Sequence, residues 1–214
     1  MLTVRSADEL AAALGHQDRL IAEGLTIDTP PTLELTLHLP WALDLQIVHA
    51  SHVNELRLPD GGQAGVHDEA VVTLIGPGKL VIDGRARCFV TDNAVAEVGG
   101  DGSVYAEDVA VVMASGRSKV YAQNMVSVVA TDTAFVTLCD STSAVGSDDC
   151  HMVALDDSRV TVSDRAAASA SDRAVVTASG DAIVTLRGDA TVNATDRVRV
   201  VDLRVLAASD QASR

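Results

Sequence analysis

Asp92, Asp108, Asp140, Asp156 and Asp172 recur at multiples of sixteen residues, with Asn124 filling the one gap in the series. If residues sixteen apart lie above one another, these carboxylates form a ladder with a rung every ~4.8 Å. Such a ladder repels itself, and a divalent cation could neutralise it; the five aspartates are therefore candidate cation ligands. A second chemistry uses the same residues differently. Asp and Asn tolerate the left-handed backbone region and bond nearby N–H groups, so the series also reads as a column of tight corners. The corner reading is preferred, and no metal or other cofactor is expected.

Other reactive types are sparse. His49 and His52 have the spacing of half a metal site, but no Cys or acidic residue completes it. Arg117, Lys119 and Arg159 are scattered, and no Ser/His/Asp or phosphate-loop pattern occurs. A lyase or hydrolase needs acids or a base converging on one groove, whereas these acids are spread evenly. The sequence therefore points away from an enzyme. Arg187-Gly188-Asp189 spells an adhesion tripeptide, but Gly and Asp are the residues that corners select, so it carries no weight.

The elements that position these groups come from a repeat. From His67 to Asp202 the chain scans in blocks of eight without insertion, and the second position of every block is Asp, Asn or Gly. Positions four, six and eight are small or apolar, as in Ala174, Val176 and Ala178. Period-two alternation after a corner residue describes a short strand with one face inward. Val and Thr suit strands, and no proline follows Pro77. Fixed self-similarity of this kind marks a stacked, quasi-one-dimensional fold. At a spacing of sixteen, Gly84, Gly100 and Gly116 align and give way to Asp132, Asp148 and Asp164. At twenty-four the types scramble. Two strands per turn follow, and the Ala/Val interior fits a thin two-walled coil.

The paired octads SDRAVVTA (171–178) and SGDAIVTL (179–186) resemble the repeats of bacterial ice-nucleation proteins. More distantly the chain is similar to bactofilins and pentapeptide-repeat proteins. The repeat, with this resemblance beside it, predicts an all-β, single-domain β-solenoid (β-helix) of about 16 residues per turn, and the capping pattern at Ser6 to Glu9 adds an N-terminal α-helical cap. It implies little about function, because such folds host many roles. Ice binding would want an unbroken outward Thr array. Thr137 and Thr185 share a column with Val153 and Ser169, and Thr161 and Thr177 share one with Asn193, so the array is broken.

Composition adds bounds. Hydrophobic residues make up 47% of the 214 but aromatics only 2%, and net charge is −14. Direct nucleic-acid binding through phosphates is disfavoured, while mimicry of nucleic acid toward a DNA-binding enzyme stays open. Cys88, Cys139 and Cys150 fall at positions the register does not pair, which suggests free thiols and a cytoplasmic chain. No secretory pattern and no apolar run of membrane-spanning length is present, so no membrane association is expected.

In chain order, residues 1–30 read as a cap of strand, helix and strand. The helix opens at Ser6-Ala7-Asp8-Glu9, runs through about Leu14 with Leu10, Ala11 and Leu14 on one face, and is followed by a strand at Leu20–Ala22. Residues 31–66 read as irregular first coils, with strands at Leu33–Leu39 and Val53–Leu58 and a loop at Asp60-Gly61-Gly62. Residues 67–202 are the regular octads. Residues 203–214 are a tail in which Leu203, Val205 and Leu206 close the last coil and 207–214 are polar.

Outward positions change character along the repeat. Phe89, Tyr105 and Tyr121 align on one face with Phe135 near, and Val95, Val111, Met113, Val129 and Val145 lie on the other. Later coils replace them with Arg, Thr, Ser and Asn. Large exposed apolar patches mark contacts. Either residues 30–66 fold back over part of this one, or it is a homo-oligomer interface. The expectation is a structural scaffold that self-associates or binds a protein through these columns. The alternatives are the acidic DNA mimic and a carbohydrate- or receptor-binding β-helix.

Overall fold

The computed structural model describes residues 1–204. The chain is an all-β parallel solenoid with about 16 residues per turn and a short N-terminal helical part. It divides into two compact units, Met1–Val112 and Met113–Arg214.

The first unit begins with strand Leu2–Val4, helix α1 (Ala7–Leu14) and helix α2 (Gln17–Glu23). The start of α1 follows from side-chain chemistry. Ser6 Oγ accepts the Glu9 N–H at 3.2 Å, and Glu9 Oε2 reaches back to accept the Arg5 N–H at 2.6 Å. The buried stripe of α1 is Leu10 and Ala13; Ala11 is exposed and Leu14 intermediate. The segment expected as a strand at Leu20–Ala22 is instead helical. Only Leu20 faces inward there, Arg19 and Glu23 pair one turn apart at 3.0 Å, and Gly24 (φ 74°) ends the helix. The strand follows at Leu25–Ile27 and pairs with Leu2–Val4.

Strands then alternate between two parallel sheets. In one sheet of this unit, Leu25–Ile27, Leu45–Ile47, Gln63–Val66, Lys79–Ile82 and Val95–Val98 succeed one another; in the other, Glu34–His38, His52–Arg57, Val71–Ile75, Arg87–Thr91 and Ser103–Ala106 do. Residues 31–66 thus form coils of the solenoid and do not fold back over later ones. Their turns are longer than sixteen residues: Leu25 pairs with Leu45, and Leu45 with Ala64, before Gln63 pairs with Lys79. Register shifts fall at Leu35/Thr36 and Val53/Leu56. The longer laps go with larger core side chains, including Leu25, Ile27, Leu37, Leu45, Ile47 and Leu56.

In the second unit the strand pairings step sixteen residues, from Lys119 with Phe135 through Ile183 with Arg199. The inward alternation holds strand after strand, as in Val175–Ala178 with Val176 and Ala178 buried. The interior is mostly Ala and Val, with Leu138 and Met152 the largest fully buried members. Close packing makes these sizes interdependent. A Cβ on Gly146 would sit 2.5 Å from Met152 Cε and 2.6 Å from Cys150 Sγ, so the glycine makes room for both. Leu203 continues the ladder by donating its N–H to Leu186 O at 3.0 Å. Val205, Leu206 and 207–214 lie outside the described residues.

Gly146→Ala is expected to lower stability by about 1–3 kcal/mol through overpacking. In a Met152→Ala background the same change should cost less, because the vacated space accepts the methyl group. Urea denaturation of the four proteins of this cycle measures the coupling; additive costs would refute the packing account.

Candidate functional site

The aspartate columns resolve as corners. Asp68, Asp92, Asp108, Asp132, Asp140, Asp148, Asp156, Asp164, Asp172 and Asp196, with Asn124, adopt φ between 54° and 67°. Several accept a backbone N–H from the coil beside them. Asp108 Oδ2 accepts the Asp92 N–H at 3.3 Å, Asp140 Oδ2 the Asn124 N–H at 3.1 Å, and Asp156 Oδ2 the Asp140 N–H at 3.2 Å. The neighbouring column repeats the bond from Asp132 to Gly116 N–H at 3.0 Å and from Asp148 to Asp132 N–H at 3.4 Å. The next residue completes the corner, as where the Asp157 N–H meets Asp140 O at 3.0 Å. These carboxylates therefore spend a lone pair on backbone donors. Among the described residues no group of three or more His, Cys, Asp or Glu is arranged to hold a metal ion.

His49 and His52 part company. His49 occupies a corner at φ 55°, its Nδ1 lies 2.8 Å from Asp28 Oδ1 and its N–H donates to Asp68 Oδ2 at 3.1 Å, whereas His52 stands on a strand. The His49 bond is the largest cause holding the Asp28 carboxyl below its ordinary pKa.

One charged feature was not anticipated. At the third block position, opposite charges pair between successive coils. Arg165 meets Asp149 at 2.6 Å, Arg173 meets Asp157 at 2.5 Å and Arg197 meets Asp181 at 2.8 Å, while Arg85 meets Glu69 in the first unit. The bonds from Arg165 and Arg173 hold the Asp149 and Asp157 carboxyls below their ordinary values. Opposite signs sixteen residues apart were the sequence signal for these pairs.

The outward apolar residues stand where the alternation places them. In the first unit Phe89 and Tyr105 are register partners, their rings stacked with centroids 5.5 Å apart and planes 22° apart. Val95 is half-buried and Val111 exposed. In the second unit Met113, Val129 and Val145 are 39%, 48% and 52% exposed, and Val129 pairs with Val145 in register. Tyr121 is half-buried and accepts a bond from the Cys139 thiol at 3.3 Å. Phe135 is exposed in the adjacent column, between Lys119 and His151. Met125, at a corner of the second unit, is also apolar and 63% exposed. Sequence alternation overlooked it because corner positions were read as turn chemistry alone. Past Val145 the column continues as Thr161, Thr177 and Asn193.

The three cysteines are unpaired, Cys88 and Cys150 buried and Cys139 half-buried. Burial pushes the Cys88 thiol far up, and burial followed by the nearby Asp148 charge raises Cys150 to about 11. No helix among the described residues is long and apolar enough to cross a membrane. No family model, curated protein or solved structure matches the chain.

Two outcomes follow from these geometries. Asp156→Val should cost about 2 kcal/mol, because a β-branched residue is strained at φ 54° and the bond to Asp140 N–H is lost. Asp156→Asn should cost much less, since Asn tolerates that region; equal midpoints in urea would refute the corner role. With a thiol reagent at pH 8, Cys139 should react first, and Cys88 and Cys150 only on unfolding; rapid labelling of all three would contradict their burial.

Proposed function

We propose that the protein is a non-enzymatic scaffold whose outward apolar columns bind a second copy of the same chain. The single supporting observation is the run Met113, Val129 and Val145 on the outer face of the second unit, each well exposed and each on its own coil. A regular apolar strip at strand spacing is costly to leave in water, at roughly 25 cal/mol per Å². Its restriction to some coils argues against a mere compositional habit, because Thr161, Thr177 and Asn193 occupy the same positions further on. A flat periodic surface is also matched in repeat by itself, which favours a like partner. Homo-oligomerisation is thus preferred over a different protein.

The nucleic-acid mimic is less well supported. Corner carboxylates are tied to backbone N–H groups, and in the next position arginines alternate with the acids, as at Asp149, Arg165, Asp181 and Arg197. A phosphate-like rail would carry one sign throughout. The three free thiols, Cys139 among them only half-buried, support a reducing compartment, hence a cytoplasmic location.

Size-exclusion chromatography with light scattering over a concentration series tests the reading. The wild-type chain of 22.2 kDa should run as an oligomer. Val129→Glu with Val145→Glu should shift it toward monomer without changing the far-ultraviolet circular dichroism. A strict monomer at high concentration, or an oligomer indifferent to both substitutions, would overturn it.

A further inference from the structure

The first unit carries a cleft on the outer face of the sheet formed by His52–Arg57, Val71–Ile75, Arg87–Thr91 and Ser103–Ala106. Its main lobe has a volume of about 630 Å³, within the range of small-molecule sites. Pro31 and Ala50 contribute to its lining, and a second lobe of about 400 Å³, which holds Thr73 and Tyr105, shares His52 and Phe89 with the first.

The cleft exists because of one step in side-chain size. Across the strands, His52 pairs with Val71 and Val71 with Arg87, while Thr73 pairs with Phe89 and Phe89 with Tyr105. The strand carrying Val71 and Thr73 therefore has short outward side chains between two neighbours with long ones. Tyr105 already stacks on one face of Phe89 at 5.5 Å. The other face of that ring looks over Thr73, where the ladder has no third ring. The strands on either side of this notch are two spacings apart, roughly 10 Å, which is the room one flat ring needs to sit between them.

We infer that this notch binds a saccharide, one pyranose ring lying against the free face of Phe89. The lining decides between ring types. Thr73 and Thr91 supply hydroxyls, Asn54 an amide and His52 an imidazole, and Arg87 is exposed with no ion pair among the described residues. A purely aromatic ligand would bury these groups without partners, which is costly. A pyranose presents C–H groups on its face to the aromatic ring and hydroxyls around its rim to the polar lining. Asn54 is steadied for this by donating its amide to Glu34 Oε2 at 2.7 Å, and Arg85 is held at the rim by Glu69. Arg87 in the adjoining lobe suits a sugar carboxylate whereas Glu107 in the notch favours a neutral or amino sugar, so the probes include neutral, amino and uronate-containing glycans.

The intact chain is applied to an array of neutral, amino and uronate-containing oligosaccharides, and any retained glycan is titrated by calorimetry. Phe89→Ala should weaken binding at least tenfold. Thr73→Trp, which fills the notch with the protein's own ring, should abolish it. Both lie on the surface, and unchanged circular dichroism and melting confirm that each variant folds. Val129→Glu with Val145→Glu should leave glycan binding intact, which separates this site from the apolar columns. Retention of no arrayed glycan overturns the inference, as does binding that survives both Phe89→Ala and Thr73→Trp.

Discussion

The fold depends on a left-handed corner repeated at fixed spacing. A residue at positive φ costs an ordinary L-residue energy, so the chain places Asp, Asn or Gly there and returns something for it. The carboxylate of one coil accepts the N–H of the corresponding corner in the adjacent coil, as from Asp156 to Asp140. Because donor and acceptor belong to different laps, this bond ties stacking to turning. The strands need only bring their own edges into line, and the corner fixes how many residues separate one edge from the next.

Turn length and side-chain size then move together. In the first unit, laps of eighteen to twenty residues enclose Leu and Ile, as around Leu25, Leu45 and Ile47. In the second unit, laps of sixteen enclose Ala and Val, and an intruder such as Met152 is matched by Gly146. A thin interior cannot hold many aromatic rings, which is why Phe89, Tyr105, Tyr121 and Phe135 take outward positions. Their position outward is therefore a product of core size as well as of function. What separates surface from surplus is arrangement. Phe89 and Tyr105 stack beside a notch lined with polar groups, whereas Val129 and Val145 form an unbroken apolar strip.

The repeat made the solenoid, its lap length and its inward residues legible, because period-two alternation and corner chemistry are local properties. The cap was only partly legible. Ser6 and Glu9 announced α1, but the apolar run at Leu20–Ala22 concealed a second helix whose lone inward residue is Leu20. A triplet is too short to show a period. The aspartate series was readable as corners, yet the bond between laps needs coordinates, since which N–H a carboxylate meets is a three-dimensional fact. The cleft was invisible from Phe89 and Tyr105 alone. It arises from the smallness of Thr73 and Val71, and absence of bulk leaves no motif.

The alternating ion pairs carry a consequence for assembly of the chain. A molecule made of near-identical laps can fold with one lap looped out, since the remaining edges still match in shape. Along the corner that holds Asp149, Arg165, Asp181 and Arg197, such an omission sets Asp149 beside Asp181, or Arg165 beside Arg197. Like charges would then face each other where opposite ones belong. The charges thus add a penalty on a miscounted stack to the one that lap-specific packing, as of Gly146 against Met152, already imposes.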